Sequence, residues 1–393
     1  METHTAEDRD RCLEWLVSAC RTWLLHKYHK DPASQTNLTL SVPPDLNPDI
    51  LKHMAYFQGI ESILFDLIRL HLLPKDILPP GLISHCEKAY FSTLIQNTRF
   101  VELLTQILAR TEEKDLPLIA LKGMASTARI YKDPGLRPMA DIDILCRPSD
   151  LKPLADILHT QGFQRRGVLQ AHHIAFPHQE LGILVEIHFS LQYIVRDKKN
   201  LFSQFWEHRQ WADMDDARIP ILSVEDQLLF DTAHILDHVY RVSLKQFLDF
   251  AAWLLLYKEK TDWSYLKSCL IQSGMTEEFV LLNHFLSGFF NIPLDLSAPS
   301  DMFSKKIINL KEVVFPSLRD TGFVKTSLAG TRLKSYASLS QKLGFTLSKL
   351  FPPFPVIQST YNTTSSISAF FSYPYHITRT LLDFLSRKKE DTR

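Results

Sequence analysis

The chain has 393 residues, enough for two or three domains with cores of their own, and its apolar and charged fractions are ordinary for a globular protein. Forty-four basic residues balance forty-four acidic residues, so the charge favours small molecules or proteins over long nucleic acids as partners. The five cysteines lack any CxxC pair, so the sequence indicates neither a disulfide framework nor a thiolate zinc site.

The beginning of the chain carries no signal-peptide pattern, and no apolar run is long enough to cross a bilayer, so we expect a cytoplasmic protein without a transmembrane segment. Residues 1–111 are predicted to be a helical N-terminal region. Apolar residues between Cys12 and Trp23 recur at intervals of three and four, which is typical of an amphipathic helix. Two further helices are predicted over Ile50–Leu73 and Leu82–Ala109, with prolines between them.

Between residues 112 and 222 the pattern changes to short apolar strands separated by helical segments. The predicted strands are Leu116–Leu121, Ala140–Leu145, His173–Phe176 and Ile183–Phe189. Strand, helix, strand, helix and then paired strands describe a small mixed β-sheet with helices on one side. The predicted fold class is therefore α+β, with this sheet flanked by helical N- and C-terminal regions.

Residues 223–350 are predicted to be a helical C-terminal region. It begins with a capping-box pattern, in which Ser223 is followed three residues later by Asp226. The closing segment, residues 351–393, is rich in proline, serine and threonine at its start. We expect an extended tether there that ends in a short helix over Ile377–Lys389.

Acidic residues occupy alternate positions in two of the predicted strands. Alternation in a strand directs Asp141 and Asp143 to one face, and it directs Glu186 and His188 to one face of another strand. Three convergent carboxylates can hold two Mg²⁺ ions for in-line phosphoryl displacement, with Mn²⁺ as an accepted substitute. The alternative for the acids is a solvated strand edge. His188 is a candidate for substrate contact or, equally, a packed histidine.

A glycine follows the first predicted strand, where the chain is expected to turn into a helix. Gly123 there allows close approach of the backbone, and the start of a helix favours phosphate. Lys122 and Arg137 are candidate phosphate ligands, and the alternative for each is an ordinary loop position.

These motifs, in this order, resemble the uncharacterised nucleotidyltransferase family of the polymerase-β superfamily, over roughly Phe57–Gly288. The resemblance lies in Leu121–Gly123, Tyr131–Leu145, Val185–His188, Val224–Leu229, His234 and Phe247–Phe250. It implies that Asp141 and Asp143 hold both metal ions, that Glu186 is the third carboxylate, and that residues 112–222 form the nucleotidyltransferase palm. Gly123 would then lie at the nucleotide phosphates.

The chain departs from the wider superfamily at the glycine turn. The usual Gly-Ser or Gly-Gly is replaced by Gly123-Met124, and Ser126 is a candidate for the missing hydroxyl. The predicted reaction moves a nucleoside monophosphate from a nucleoside triphosphate such as ATP to a hydroxyl acceptor and releases pyrophosphate. The alternatives are a catalytically weak nucleotide-sensing or scaffold module and a phosphotransferase that uses the same metal site.

Overall fold

The computed structural model describes residues 6–28, 38–165, 173–190, 198–214, 216–237 and 242–293, together with 318, 351, 357, 361, 365, 367–368 and 370–378. Within these residues the fold is α+β, as predicted: one six-stranded mixed sheet has helices before and after it in the chain. No helix among the described residues is both long and apolar enough to cross a bilayer.

Four helices precede the sheet. They are α1 (Ala6–Tyr28), α2 (Pro48–Gln58), α3 (Glu61–Arg69) and α4 (Pro80–Glu112). The single helix predicted over residues 50–73 is wrong, because Gly59 adopts φ 65° and ends α2. The backbone N–H groups of Gly59 and Ile60 donate to carbonyls in the last turn of α2, which closes that helix before α3 begins.

The sheet contains two strands more than the sequence predicted. Its members are β1 (Ile119–Ala120), β2 (Ile142–Leu145), β3 (His173–His178), β4 (Ile183–His188), β5 (Gln210–Met214) and β6 (Ala217–Ile221). Their spatial order is β3-β4-β2-β1-β6-β5. Strand β2 lies between antiparallel β1 and parallel β4, and all four of its residues are buried. The β5–β6 hairpin, which the sequence did not predict, completes the sheet beside β1.

The remaining helices lie within the sheet region of the chain and after it. They are α5 (Lys122–Ser126), which continues as a π-helical turn over Thr127–Tyr131, then α6 (Leu151–Thr160), α7 (Lys198–Glu207), α8 (Val224–Asp237), α9 (Leu244–Tyr257), α10 (Trp263–Ser273) and α11 (Thr276–Phe290). Ser223 caps α8, as its position predicted, since its Oγ accepts the backbone N–H of Asp226 at 3.1 Å.

Helix α1 packs against helices that precede the sheet in the chain and against helices that follow it. Helix α1 packs against α2 and α3, and it also packs against α9 and α11 from the C-terminal side. Its Trp23 is fully buried and stacks on Tyr131 at the end of the π-helical turn, with ring centroids 5.4 Å apart. The helices before and after the sheet therefore share one core with the segment that leads into β2.

The domain division at residues 111, 222 and 350 stays a prediction. In the closing segment residues 370–378 are helical, and the short helix predicted over residues 377–389 lies almost wholly outside the described residues.

Candidate active site

The two predicted acidic strands are neighbours in the sheet. Strands β2 and β4 run parallel, and their register places Asp143 directly opposite Glu186. His188 lies two residues beyond Glu186, so strand alternation puts it on the same face. One potential ligand atom from each of these three residues lies within 4.8 Å of the others. The pairing of β2 with β4 thus converts two separate sequence motifs into one cluster.

Asp143 lies at the centre of this cluster. Its carboxylate is buried, and its Oδ1 accepts a hydrogen bond from Lys122 Nζ at 2.6 Å and lies 2.7 Å from His188 Nε2. Burial by itself raises the pKa of Asp143, but the positive charge of Lys122 and the hydrogen bond from His188 outweigh it and hold the pKa well below its ordinary value. Because an ionised carboxylate only accepts, His188 must carry its proton on Nε2.

Lys122 reaches Asp143 from a strained turn. Lys122 is the first residue of α5, just after β1, and its φ of 48° is a left-handed conformation that costs a non-glycine residue roughly 1–3 kcal/mol. Burial opposes the charge on its ammonium group. Even so, the neighbouring acids, Asp143 first, raise the pKa of Lys122 above its ordinary value, and it stays protonated. The turn therefore holds a fixed positive charge against β2.

The other two predicted acids hold their protons more tightly. Burial and the charge of Asp143 raise the pKa of Asp141 to about 6 and the pKa of Glu186 to about 7. The imidazole Nε2 of His173, on β3, lies 3.6 Å from Glu186 Oε1. The buried carboxylate of Asp143 thus lies near two half-buried ones, and a bound cation would relieve their mutual repulsion.

The position of Asp141 differs from the expectation that it shares a strand with Asp143. Strand β2 begins at Ile142, so Asp141 comes immediately before it. The three ligand atoms that lie within 4.8 Å belong to Asp143, Glu186 and His188. The charge of Asp141 nevertheless raises the pKa of Glu186, and the charge of Asp143 raises the pKa of Asp141. Its metal-binding role stays a prediction.

The space at the glycine turn is filled by the chain's own side chains. A Cβ added at Gly123 would lie 2.5 Å from Arg137 Nη1 and 2.7 Å from Met139 Cγ. Because Gly123 has no Cβ, the side chains of Arg137 and Met139 pack directly against its backbone. The predicted contact of Gly123 with nucleotide phosphates stays a prediction.

Two further predicted nucleotide ligands also have protein partners. Arg137 is buried, and its Nε and Nη2 donate to Asp249 Oδ2 on α9 at 3.0 and 2.7 Å. Ser126 is 1% exposed, and its Oγ accepts the indole N–H of Trp253 at 3.4 Å. The structure thus brings Lys122 together with the acids and directs Arg137 and Ser126 to α9. Their roles as nucleotide ligands stay predictions.

Sequence reasoning missed the contribution of α9. Asp249 accepts from Arg137 and also from the Tyr131 hydroxyl, whose oxygen lies 2.7 Å from Oδ1. Lys245, one turn earlier, donates to the Pro138 carbonyl at 3.3 Å. Their spacing of four residues places both on one helical face, but no local signal connects that face with a segment more than a hundred residues away.

Residues 44–291 match the sequence profile of a family described as uncharacterised nucleotidyltransferase. This match spans more than half of the chain, and the protein belongs to that family.

The likeness to solved structures is weaker. The antibiotic-resistance factor ANT(2'')-Ia is 17% identical with a TM-score of 0.33, over 48% of this chain and 97% of its own. A nucleotidyltransferase-like protein from Paracoccidioides brasiliensis, described as antigenic, is 15% identical with a TM-score of 0.29, over 46% of this chain and 92% of its own. No curated protein matches the chain. Such TM-scores do not establish a shared fold, so the family assignment rests on the sequence match.

Proposed function

We propose that the protein is a metal-dependent nucleotidyltransferase with a palm of the polymerase-β type. It would transfer a nucleoside monophosphate from a nucleoside triphosphate, ATP in the first instance, to a hydroxyl acceptor. The observation that carries this proposal is the direct pairing of Asp143 with Glu186 across parallel strands β2 and β4. The proposal is further supported by membership of a nucleotidyltransferase family.

The residues present suit a hard divalent cation. Carboxylate oxygens are the donors that Mg²⁺ prefers, and Asp143 and Glu186 offer them beside His188 within 4.8 Å. The ammonium group of Lys122 lies 2.6 Å from Asp143 Oδ1, and a metal ion that binds this oxygen would replace that contact. We propose that Asp141, Asp143 and Glu186 would hold two Mg²⁺ ions, which Mn²⁺ could replace. When bound, such ions supply charge stabilisation for the transferred phosphoryl group.

In the proposed reaction a side chain of the protein removes the proton of the acceptor hydroxyl. The acceptor oxygen forms a bond to the α-phosphorus, the bond from that phosphorus to the bridging oxygen breaks, and pyrophosphate leaves with the electron pair. Glu186 is the group we propose to take the acceptor's proton. Without a metal ion, burial and the charge of Asp143 raise the pKa of Glu186 to about 7; bound cations would lower this pKa, so the carboxylate would be ionised and ready to accept a proton.

The test is transfer of label from α-labelled nucleoside triphosphates with Mg²⁺ in a cell extract, with pyrophosphate release followed in parallel. Glu186→Gln keeps the shape of the side chain, and we expect it to lower transfer roughly a hundredfold or more. Asp156→Asn is the matched control, since Asp156 is exposed and makes an ion pair with Lys152 on the surface of α6. Transfer by Glu186→Gln within about threefold of the unmutated protein would remove Glu186 from the reaction.

A specific observation favours a second function, a nucleotide-sensing or scaffold module with weak or no catalysis. The region at Gly123 is filled by Arg137 and Met139, and Arg137 already binds Asp249. Both features would lower affinity for the triphosphate unless nucleotide binding rearranges them. Binding of nucleotide with Mg²⁺ but without pyrophosphate release, in extract as well as in buffer, would favour this second function over catalysis.

A further inference from the structure

Three basic side chains act electrostatically on Asp141. They are Lys122, Arg137 and Lys245, and each opposes the rise in its pKa that burial and Asp143 cause. Lys122 is paired with Asp143 at 2.6 Å, and Arg137 is paired with Asp249 at 2.7 Å. Two of the three positive charges are therefore already matched to a carboxylate.

Lys245 differs from the other two. Its ammonium group donates to the backbone carbonyl of Pro138 at 3.3 Å, three residues before Asp141. Among the described residues, no carboxylate oxygen lies within 4.0 Å of it. An ammonium group has three N–H donors, so one long bond to a neutral carbonyl leaves donor capacity and charge to be satisfied.

The aliphatic part of the Lys245 side chain packs against the end of α2. A Cβ added at Gly59 would lie 2.8 Å from Lys245 Cδ, so the aliphatic chain runs directly over the end of α2. The neighbouring residue, Leu244, donates its backbone N–H to Gln58 Oε1 at 2.9 Å. Helices α2 and α9 therefore fix the direction of this side chain toward the segment that leads into β2.

The surroundings of Lys245 disfavour the protonated form of its amine. Burial first, and the nearby Arg137 second, lower its pKa to about 8. Lys245 is half-buried, and an ammonium group that is partly withdrawn from water without a carboxylate partner costs stability, which an anion beside it would recover. Such sites favour anionic ligands with several acceptor oxygens.

We infer that Lys245 binds the pyrophosphate portion of the nucleoside triphosphate. This role rests on the proposed function, which puts the reacting α-phosphate at Asp141, Asp143 and Glu186. The two outer phosphates are the part of the substrate that needs an additional cation, because the paired charges of Lys122 and Arg137 are already engaged. Lys245 would hold these phosphates while the bond to the α-phosphate breaks, and it would bind the pyrophosphate that leaves.

Comparison of nucleotides with and without outer phosphates tests the inference. Dissociation constants for a nucleoside triphosphate and for the monophosphate of the same base are measured with Mg²⁺ by calorimetry. Lys245→Met keeps the stem against Gly59 and removes the charge, and we expect it to weaken triphosphate binding about tenfold to a hundredfold. Monophosphate binding should stay within about twofold, because the role assigned to Lys245 concerns the outer phosphates alone.

Two other variants control for charge and folding. Lys245→Arg retains the charge and should keep most of the triphosphate affinity, whereas Lys267→Met removes an exposed lysine from α10 and should change neither constant. Equal loss for triphosphate and monophosphate, or no loss for either, would overturn the role of Lys245 and leave the proposed function intact. Failure of the unmutated protein to bind any nucleoside triphosphate would overturn the proposed function and this role together.

A measurement on the unmutated protein does not depend on how the variants fold. Reductive methylation of lysines, read by mass spectrometry of peptides, reports the accessibility of the Lys245 amine. We expect inorganic tripolyphosphate and nucleoside triphosphate to protect Lys245 from methylation, and the nucleoside alone to give no protection. Protection of Lys245 by the nucleoside to the same extent as by the triphosphate would contradict the assignment.

Discussion

Removal of the Asp249 carboxylate should destabilise the fold strongly, because it would leave the Arg137 guanidinium buried without a counter-charge. The two side chains are 9% and 8% exposed, and the guanidinium Nη2 lies 2.7 Å from Asp249 Oδ2. The other carboxylate oxygen, Oδ1, accepts the Tyr131 hydroxyl at 2.7 Å, so Asp249→Ala also removes the partner of a buried hydroxyl. Loss of one member of a buried ion pair costs about 3–5 kcal/mol.

Urea denaturation at neutral pH, followed by circular dichroism, measures this loss as a change in the free energy of unfolding. At about 2–4 °C per kcal/mol for a region of this size, the unfolding midpoint in a thermal scan should fall by roughly 6–20 °C. Asp156→Ala is the control, because its exposed ion pair with Lys152 should contribute about 0.5 kcal/mol or less.

The double variant Arg137→Met/Asp249→Leu separates the cost of an unpaired charge from the loss of packing. Replacement of a whole buried pair by apolar residues of similar size is often neutral or stabilising, so this variant should be more stable than Asp249→Ala. The reasoning is refuted if Asp249→Ala lowers the free energy of unfolding by less than about 1 kcal/mol, or if the double variant is no more stable than the single one.

Two further predictions concern the acids. The pKa values of Asp141 and Glu186 are raised to about 6 and about 7, so cation binding must displace protons below neutral pH. Affinity for Mn²⁺ should therefore rise as the pH increases through these values and level off above them. Calorimetry in buffers of different ionisation enthalpy should detect the released protons, and affinity that is constant from about pH 5.5 to 8 would contradict the prediction. Because a raised pKa means that the ionised form opposes folding, Asp141→Asn should stabilise the metal-free protein by about 1–3 kcal/mol at about pH 8. This gain should disappear below the ordinary pKa of an aspartate, and equal unfolding free energies of the two proteins at both pH values would count against it.

The fold was predictable where the signal was local. Apolar alternation in β2 and β4 and the apolar stripe of α1 repeat over a few residues, so the sequence by itself indicated an α+β protein. Gly59 lies inside a run of helix-compatible residues, and its left-handed conformation in the structure divides α2 from α3. Strands β5 and β6 carry charged residues and a proline, and they were recognised only through their pairing with each other and with β1.

The sequence by itself determined that Glu186 and His188 share one face of β4, because alternation along a strand is a property of the local backbone. Only the tertiary structure decided that Asp143 stands opposite Glu186, since register depends on how β2 and β4 meet. It also decided that Arg137 binds Asp249, a residue 112 positions further along the chain. That pairing depends on the packing of α9 against the turn that leads into β2, and no pattern of neighbouring residues encodes it.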